Sequence, residues 1–405
     1  MSERYPGGLI RKTPPTVTGP TDGEGGSAPG IWTLEEVAYY EKEGGWPKPV
    51  LPRELYGWGD NGDGVLGINV DQTSDRSSPV QVGALTTWDQ VSSGNDHSVA
   101  VKTDGTLWAW GYNAYGSLGD GTVISRSSPV QIGSLTTWSQ ALSANEFTIA
   151  VKTDGTLWSW GNNNQGRLGL NDDVPRSSPT QIGSDTNWYK IGTGYNATHT
   201  LAIKTDGTLW TWGNGTLGRL GKNQLISRSS PVQIGALTNW SEISAGDANS
   251  GAIKTDGTLW MWGRGQDGRV GNGTAADVSS PIQIGALTNW QKVTVGSSSH
   301  AIKTTGTLWG WAYNANGQVG DNTNISRSSP VQIGSLTTWA EATQAGGAIK
   351  TDGTLWTWGL NNRGQLGENT QGALTYRSSP VQIGSETNWS KITQGEYMFM
   401  ATTKG

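Results

Sequence analysis

The dipeptide Trp-Gly, replaced once by Trp-Ala, returns at nearly constant intervals through most of the chain. Successive tryptophans are separated by 52, 50, 52, 50, 49 and 47 positions, at Trp58, Trp110, Trp160, Trp212, Trp262, Trp311 and Trp358. A unit of this length copied seven times indicates repeated supersecondary structure, in which neighbouring copies together bury a core that one copy cannot form alone.

Each unit divides into four short apolar segments bounded by turn residues. In one unit these are residues 106–111, 126–133, 138–144 and 148–152. The paired tryptophans, such as Trp108 and Trp110, are two positions apart, so on a strand both indoles lie on the same face. Four strands per unit, seven units and no helical periodicity between them predict an all-β fold, a seven-bladed β-propeller of four-stranded blades.

The two ends of the repeat region are predicted to share one blade. The junction Lys-Thr-Asp-Gly-Thr-Leu-Trp, or a close variant, occurs six times, starting at residues 102, 152, 204, 254, 303 and 350. The missing seventh copy is split between residues 401–405 and the strand at 54–59. We therefore expect the propeller to occupy 54–405 and to be closed by its N- and C-terminal strands.

The motifs of this unit resemble a known repeat. Trp-Gly is followed by Asn-x-x-Gly-x-Leu-Gly (113–119, 163–169), then by Ser-Pro-Val and an apolar strand, which is similar to the regulator-of-chromosome-condensation repeat. That resemblance implies a seven-bladed propeller. The two motif glycines are expected to adopt positive φ and to allow a close crossing of the backbone, which is a structural role rather than phosphate binding.

Composition and charge exclude several functions. The chain has 60 Gly and 22 Trp but no Cys and three His, and the repeat contains no paired carboxylates and no Ser-His-Asp set. We therefore predict no enzyme activity, no metal and no cofactor. A net charge of -5 argues against nucleic-acid binding. The sequence shows no long apolar run and no signal peptide, which predicts synthesis in a cytoplasm without membrane insertion.

Two loops per unit vary between copies, whereas the strands barely change. Variable loops on a repeated scaffold are where binding specificity usually lies. The second of these loops supplies six candidate binding residues: His97, Phe147, Tyr195, His199, His300 and Tyr397. The histidines fall in alternate units, so a backbone hydrogen bond is favoured for each over a shared metal.

An ion pair within each blade is suggested by two residues that are lost together. Arg of Arg-Ser-Ser-Pro is replaced only by Val278, and Asp of Thr-Asp-Gly is replaced by Thr305 in the same unit. These losses predict an Arg-Asp pair of about 0.5 to 1 kcal/mol where it is exposed.

Residues 1–53 differ in kind from the repeat, with eight of the 16 prolines and no repeated unit. They read as an extended arm containing a short helix at 33–43, which Thr33 caps and Gly44 ends. The arm is predicted to dock on a partner through its apolar and aromatic residues, or else to pack on its own propeller. These residues are Ile31, Trp32, Leu34, Val37, Tyr39 and Tyr40.

The sequence of residues 27–40, followed by Gly-Gly-Trp-Pro, is similar to leader segments of structural proteins of marine tailed phages of the cyanophage type. This resemblance implies a virion protein, present in multiple copies, whose arm docks on other proteins of the capsid or tail. The propeller would then be displayed as a decoration, fibre or attachment module for a host-surface receptor. The alternative is a bacterial propeller that binds or inhibits a partner protein through its loop face.

Overall fold

The structure, a computed structural model, describes residues 4–5, 8–9, 52–70, 74–372 and 375–405. The chain divides into two compact units, Met1–Pro52 with Gly405, and Arg53–Lys404. In the first unit, β1 (Arg4–Tyr5) and β2 (Gly8–Leu9) form an antiparallel pair. The helix predicted at 33–43 and the six docking residues of the arm lie outside the described residues.

The second unit contains seven antiparallel sheets of four strands, which confirms the predicted fold class. The first three blades, in chain order, are blade 1 with β5 Trp88–Ser93, β6 His97–Lys102, β7 Leu107–Gly111 and β8 Arg126–Gln131; blade 2 with β9 Trp138–Ser143, β10 Phe147–Lys152, β11 Leu157–Gly161 and β12 Arg176–Gln181; and blade 3 with β13 Trp188–Gly192, β14 His199–Lys204, β15 Leu209–Gly213 and β16 Arg228–Gln233.

Three further blades follow the same order. They are blade 4 with β17 Trp240–Ala245, β18 Asn249–Lys254, β19 Leu259–Gly263 and β20 Val278–Gln283; blade 5 with β21 Trp290–Thr294, β22 Ser298–Lys303, β23 Leu308–Ala312 and β24 Arg327–Gln332; and blade 6 with β25 Trp339–Ala342, β26 Gly347–Lys350, β27 Leu355–Gly359 and β28 Arg377–Ile383. Short 3-10 helices lie after four of the third strands, at Gly62–Gly64, Asn164–Gly166, Thr216–Gly218 and Gln266–Gly268.

Blade 7 joins the two ends of the propeller. Its strands are β29 (Trp389–Gln394), β30 (Met398–Thr403), β3 (Leu55–Gly59) and β4 (Arg76–Gln81). The ladder between β30 and β3 runs from Leu55 opposite Thr402 to Gly59 opposite Met398. The predicted completion of this blade by residues 54–59 is therefore confirmed, and the blade at the chain ends has four strands like the others.

In blades 1 to 6 the first-strand Trp packs edge-on against the outer Trp of the third strand, and in blade 7 Tyr56 takes the place of the outer Trp. In blade 2, Trp138 on the first strand meets Trp158 and Trp160 of the third strand edge-on, with centroids 6.1 and 6.0 Å away. Both partners lie on one face of β11, as the two-residue spacing predicts. The ammonium group of Lys152 lies 3.7 Å from the Trp158 centroid, so the outer indole has a cation stacked on it.

Neighbouring blades are joined through the Asn-x-x-Gly-x-Leu-Gly loop. Its two glycines have the positive φ that the sequence predicts, +78° at Gly116 and +80° at Gly119. A Cβ on Gly116 would lie 2.4 Å from the Cα of Ser177 in the next blade, and a Cβ on Gly119 would lie 2.6 Å from Nε1 of Trp160. The motif therefore fits the blade that follows it, which explains why it recurs with the Trp-Gly strand.

The antiparallel order gives the propeller two unlike faces. The loops from first to second strand and from third to fourth strand emerge at one end, which we call the loop face. The Asp-Gly turns and the links between blades emerge at the other end, the turn face. The first strands line a central channel with a cavity of about 500 Å³.

Candidate binding face

Four of the six loop residues predicted from sequence lie inside the protein. His97, Phe147 and His199 are the first residues of second strands and His300 is the third residue of β22, and all four are at most 1% exposed. The loops that precede these strands are only three residues long in most blades, so the side chains point into the interior rather than to a partner. This placement differs from the expected exposure on the loop face.

The buried histidines link neighbouring blades. Of the three, His300 makes the backbone hydrogen bond predicted from sequence, whereas His97 and His199 bond to side-chain hydroxyls instead. His97 Nε2 lies 2.9 Å from Thr148 Oγ1, and His199 Nε2 lies 2.7 Å from Ser250 Oγ. His300 Nδ1 lies 2.8 Å from the carbonyl oxygen of Thr343. Burial lowers the pKa of His97 to about 3 and that of His300 to about 4, so both rings are neutral near pH 7.

Tyr195 and Tyr397 are the two predicted residues that face an open cavity. Tyr397 is half-buried, and its hydroxyl donates to Glu396. Tyr195 is 8% exposed and bonds to Ser297, which belongs to blade 5. Burial raises the pKa of Tyr195 to about 12 and also raises the pKa of Tyr397. Both phenols are therefore neutral hydrogen-bonding groups in the wall of this cavity.

Tyr195 reaches this position because its loop is longer than the others. The first and last tryptophans of the strands around it, Trp188 and Trp212, are 24 positions apart, against 22 for Trp138 and Trp160. Gly194 lies against the side chain of Gln344, which belongs to blade 6 on the other side of the ring. The loop 193–198 therefore crosses the mouth of the channel at the loop face.

The channel is narrowed on its other side by a belt of polar side chains. The third residue of each first strand points inward, and these residues are Gln90, Gln140, Lys190, Glu242, Lys292, Glu341 and Lys391. Lys190 pairs with Glu242, and Glu341 accepts from Lys292 at 2.8 Å and from Lys391 at 3.1 Å. Each contact joins neighbouring blades, and each exposed pair contributes about 0 to 1 kcal/mol.

The loop-face cavity has a volume of about 250 Å³ and collects residues from five blades, blades 3 to 7. Its polar and aromatic lining includes Tyr195 of blade 3, Asp267 and Arg269 of blade 4, Tyr313 of blade 5, and Glu396 and Tyr397 of blade 7. Sequence reasoning missed Asp267, Arg269, Tyr313 and Glu396. A signal was present, because Arg precedes Leu-Gly or Val-Gly in three successive units, at Arg167, Arg219 and Arg269.

The proposed Arg-Asp pair has a different acidic partner from the one predicted. Arg126 Nη2 lies 2.8 Å from Asp120 in the variable loop after the third strand, and Arg377 pairs with Glu368 in the corresponding loop. The Asp of the turn instead caps its own turn, since Asp104 Oδ1 accepts from the backbone and hydroxyl of Thr106 at 2.9 and 2.6 Å. The pairing prediction was therefore wrong, because a residue two positions away reaches Asp104 first.

The described residues contain no group of three or more His, Asp or Glu side chains placed to hold a metal ion. Among the same residues, no helix has the length and apolar character needed to cross a membrane.

Seven blades close into a ring, the repeated motifs are buried, and the loops that differ between units lie at the loop face. These features define the chain as a β-propeller whose variable loops are grouped at one face, where propellers bind their partners. The RCC1-like domain matches residues 52–302, and a regulator of chromosome condensation (RCC1) repeat matches residues 352–401. The chain therefore belongs to the RCC1-like domain family. The resemblance to this repeat is confirmed, whereas the resemblance of the arm to phage leader segments is not shown.

Relatives with known names match parts of the chain. It is 30% identical to the ultraviolet-B receptor UVR8 of Arabidopsis thaliana over 185 residues, 45% of this chain and 42% of the receptor. It is 39% identical over 72 residues, 16% of this chain, to a bifunctional serine/threonine-protein kinase/NEDD4-like E3 ubiquitin-protein ligase of Dictyostelium discoideum, and this match covers 4% of that protein. The chain thus spans less than half of either curated relative.

Solved structures share the fold. Prp20p from Saccharomyces cerevisiae, described with its binding to Gsp1p and histones, is 18% identical, with a TM-score of 0.76 over 87% of this chain and 92% of that one. Human WBSCR16 is also 18% identical, with a TM-score of 0.76 over 88% of this chain and 100% of that one. At this identity the likeness shows the propeller fold alone.

Proposed function

We propose that this chain is a non-enzymatic propeller that binds a partner protein through its loop face. The observation that carries the proposal is a set of aliphatic side chains at the tips of the loops between third and fourth strands. They are 57 to 63% exposed and comprise Val123, Ile124, Val174, Leu225, Ile226 and Ile325. The exposed leucines of the turn face are more covered, at 39 to 49% exposed, so the loop face presents the more open apolar groups. Such groups are typical of interaction surfaces.

The scaffold beneath these side chains supports the same function. The glycines and tryptophans that recur in the units join the blades to each other, so the loops can differ without disturbing the ring. RCC1-like propellers are mainly binding and regulatory proteins. Prp20p binds Gsp1p and histones, and yeast RCC1 has been seen bound to Kap60, which makes a protein partner the favoured ligand class here.

The inner rim of the loop face is acidic over blades 7, 1 and 2. Burial raises the pKa of Asp96, and the nearby Asp63, Glu396 and Glu146 carboxylates raise it further. Like charges this close favour a partner that brings positive charge to the rim. The proposed partner surface is therefore apolar where it meets the outer loops and basic where it meets the inner rim.

Two matched sets of substitutions test the proposal. In the loop-face set, Val123, Ile124, Leu225 and Ile226 are changed to Ser. In the control set, four similarly placed leucines of the turn face are changed to Ser, namely Leu135, Leu237, Leu287 and Leu336. Cross-linking mass spectrometry in the native host should recover the same partner with wild type and with the control set but lose it with the loop-face set. Loss with the turn-face set alone would move the interface to the other end of the ring.

A place in a phage particle remains a prediction with a test of its own. It depends on residues 27–40, outside the described part of the chain, and it would make other virion proteins the partners of the arm and the virion the location of the protein. Mass spectrometry of purified particles should then detect the full chain in fixed proportion to the capsid or tail proteins. Its absence from particles would leave only the partner-binding propeller.

A further inference from the structure

The loop-face cavity carries negative charge that no cation balances. Asp267 and Glu396 both line it, and within the described part of the chain neither has a Lys or Arg at ion-pair distance. The lining guanidinium, that of Arg269, is already paired with Asp247, with Nη1 3.3 Å from Oδ2. Two carboxylates facing one small cavity favour a positively charged guest.

Three tyrosine rings contribute to the walls of the cavity, and a flat cation can stack on such rings. Tyr195, Tyr313 and Tyr397 come from three different blades and all line the cavity. Tyr195 lies close to these charges. Burial has the largest effect on its pKa and raises it, Glu396 and Asp247 raise it further, and Arg269 lowers it. A guanidinium group between aromatic rings gains from cation–π attraction and can still donate in its own plane.

Arg269 adds a hydrogen-bond donor that lacks an acceptor. It is 9% exposed, and its Nε is buried without a partner. Two arginines at the same position of other units satisfy this atom within their own loops, Arg167 by donating to Asn164 O at 3.1 Å and Arg219 by donating to Thr216 O at 3.0 Å. An unpaired buried donor is costly, and because solvent does not reach this Nε, an acceptor can meet it only when the Arg269 side chain turns toward the cavity. A guest that brings a carbonyl oxygen favours that turn.

We propose that this cavity binds an arginine side chain of the partner protein. The guanidinium group lies between Asp267 and Glu396 and the tyrosines cover its faces. The Arg269 side chain turns toward the cavity on binding, so that its Nε donates to the main-chain carbonyl of the same arginine. Arginine fits better than lysine because its planar fork can bond two carboxylates at once. This assignment rests on the proposed partner-binding function and names the residue that the partner inserts.

A small probe tests the site without the partner. The full chain is labelled with 3-fluorotyrosine, the signals of Tyr195, Tyr313 and Tyr397 are assigned with Tyr→Phe variants, and N-acetyl-arginine amide is titrated while fluorine NMR is recorded. We expect saturable shifts confined to those three signals. N-acetyl-citrulline amide, which has the same shape without the charge, should bind at least about tenfold more weakly. Equal binding of the two probes, or no saturation, would overturn the proposal.

Variants separate the two contacts. Asp267→Asn with Glu396→Gln should weaken the arginine probe by about tenfold or more, whereas Asp173→Asn with Glu386→Gln, which removes two exposed charges outside the cavity lining, should leave it unchanged. Arg269→Lys should weaken N-acetyl-arginine amide but not propylguanidine, which has no carbonyl. Equal losses in the two double variants would show general charge attraction and overturn the assignment.

Failure of the arginine assignment can be distinguished from failure of the proposed partner-binding function. If the loop-face serine set loses the partner in cross-linking while the probe does not bind the cavity, partner binding stands and the arginine assignment falls. If the probe binds with the expected variant pattern but neither serine set affects any partner, the cavity stands as an arginine site and the proposed aliphatic interface falls.

Discussion

Blade 7 is assembled from both ends of the propeller, whereas each of blades 1 to 6 is one continuous stretch. In blade 1 the turn between second and third strands is held by the Lys102 amide, which donates to Thr106 O at 3.0 Å. In blade 7 no turn joins the second and third strands, because they belong to opposite ends of the propeller. The Thr403 amide nevertheless donates to Glu54 O at the same distance of 3.0 Å. The closing blade therefore keeps the hydrogen bond of the turn without the turn.

Side chains complete the replacement. Thr403 stands where the other blades have Lys, and its hydroxyl accepts from the Glu54 amide at 2.8 Å. Tyr56 stands where they have the outer Trp, and its hydroxyl donates to Glu54, as Trp108 Nε1 donates to Thr106. A stacked lysine has thus been exchanged for a bond that holds the two ends together. Blade 7 therefore depends on non-covalent contacts to hold its second and third strands together, whereas in the other blades the continuous chain joins these strands.

The largest expected effect comes from removing the strand that closes the ring. Deleting residues 396–405 removes β30 and with it the buried Phe399, Met400 and Ala401. We expect the melting temperature to fall by more than about 10 °C, because β3 and β29 lose their shared partner. Differential scanning calorimetry measures this. Deleting only Lys404 and Gly405 keeps β30 and should have a small effect; equal effects of the two deletions would contradict closure by this strand.

A smaller loss of stability is expected at the contact between the Gly119 loop and Trp160 of the next blade. Gly119→Ala should lower the free energy of unfolding by about 3 kcal/mol, since the new Cβ would meet Trp160 in the core. Gly133→Ala is the matched control, with φ of +63° and open space around it, and should cost about 1 kcal/mol from backbone strain alone. Denaturant titration gives both values. If the two variants were equally stable, the close contact between Gly119 and Trp160 would contribute nothing beyond the backbone strain that both variants share.

The sequence predicts the fold well because the fold repeats. Seven internal copies show which residues stay constant, and the splitting of one copy between the chain ends predicts the closing blade. Even the positive φ of Gly119 follows from the motif. The Arg-Asp pair failed because two residues lost together in one unit do not have to touch: the Arg reaches an acidic residue of the loop after the third strand instead, as Arg126 reaches Asp120.

The candidate site was harder to predict because it is made between repeats. Asp267, Tyr313 and Glu396 are unremarkable within their own units, and only the ring brings them to one cavity. His97 and Phe147 were placed on the loop face because they follow variable loops, but the first residue of a second strand points into the blade. Tyr195 was predicted on the same ground, and it reaches the cavity because it lies in the longest loop of this type.

The buried histidines make the stability of blades 1, 3 and 5 sensitive to pH, whereas blade 7 has Met398 and Met400 at the corresponding positions. The pKa of His97 is about 3 when folded and near 6.5 when unfolded, so the unfolded chain gains a proton first as pH falls. Stability is thus retained above pH 6.5 and lost on acidification, by about 2 kcal/mol between pH 7 and 5. His97→Met should remove this share of the pH dependence in denaturant titrations; an unchanged slope would show that His97 already titrates normally.

The smallest expected effect concerns the stacked lysine that blade 7 lacks. Lys152→Met keeps the apolar stem on Trp138 and Trp158 but removes the cation, and should lower the free energy of unfolding by about 1 kcal/mol. The loss should change little with salt, because Lys152 is only 8% exposed and its ammonium group lies against the two rings. Lys404→Met, at an exposed position of blade 7, is the control and should be neutral. If Lys152→Met were neutral as well, the six stacks would shape the blades without stabilising them, and blade 7 would lose nothing by using Thr403 for closure.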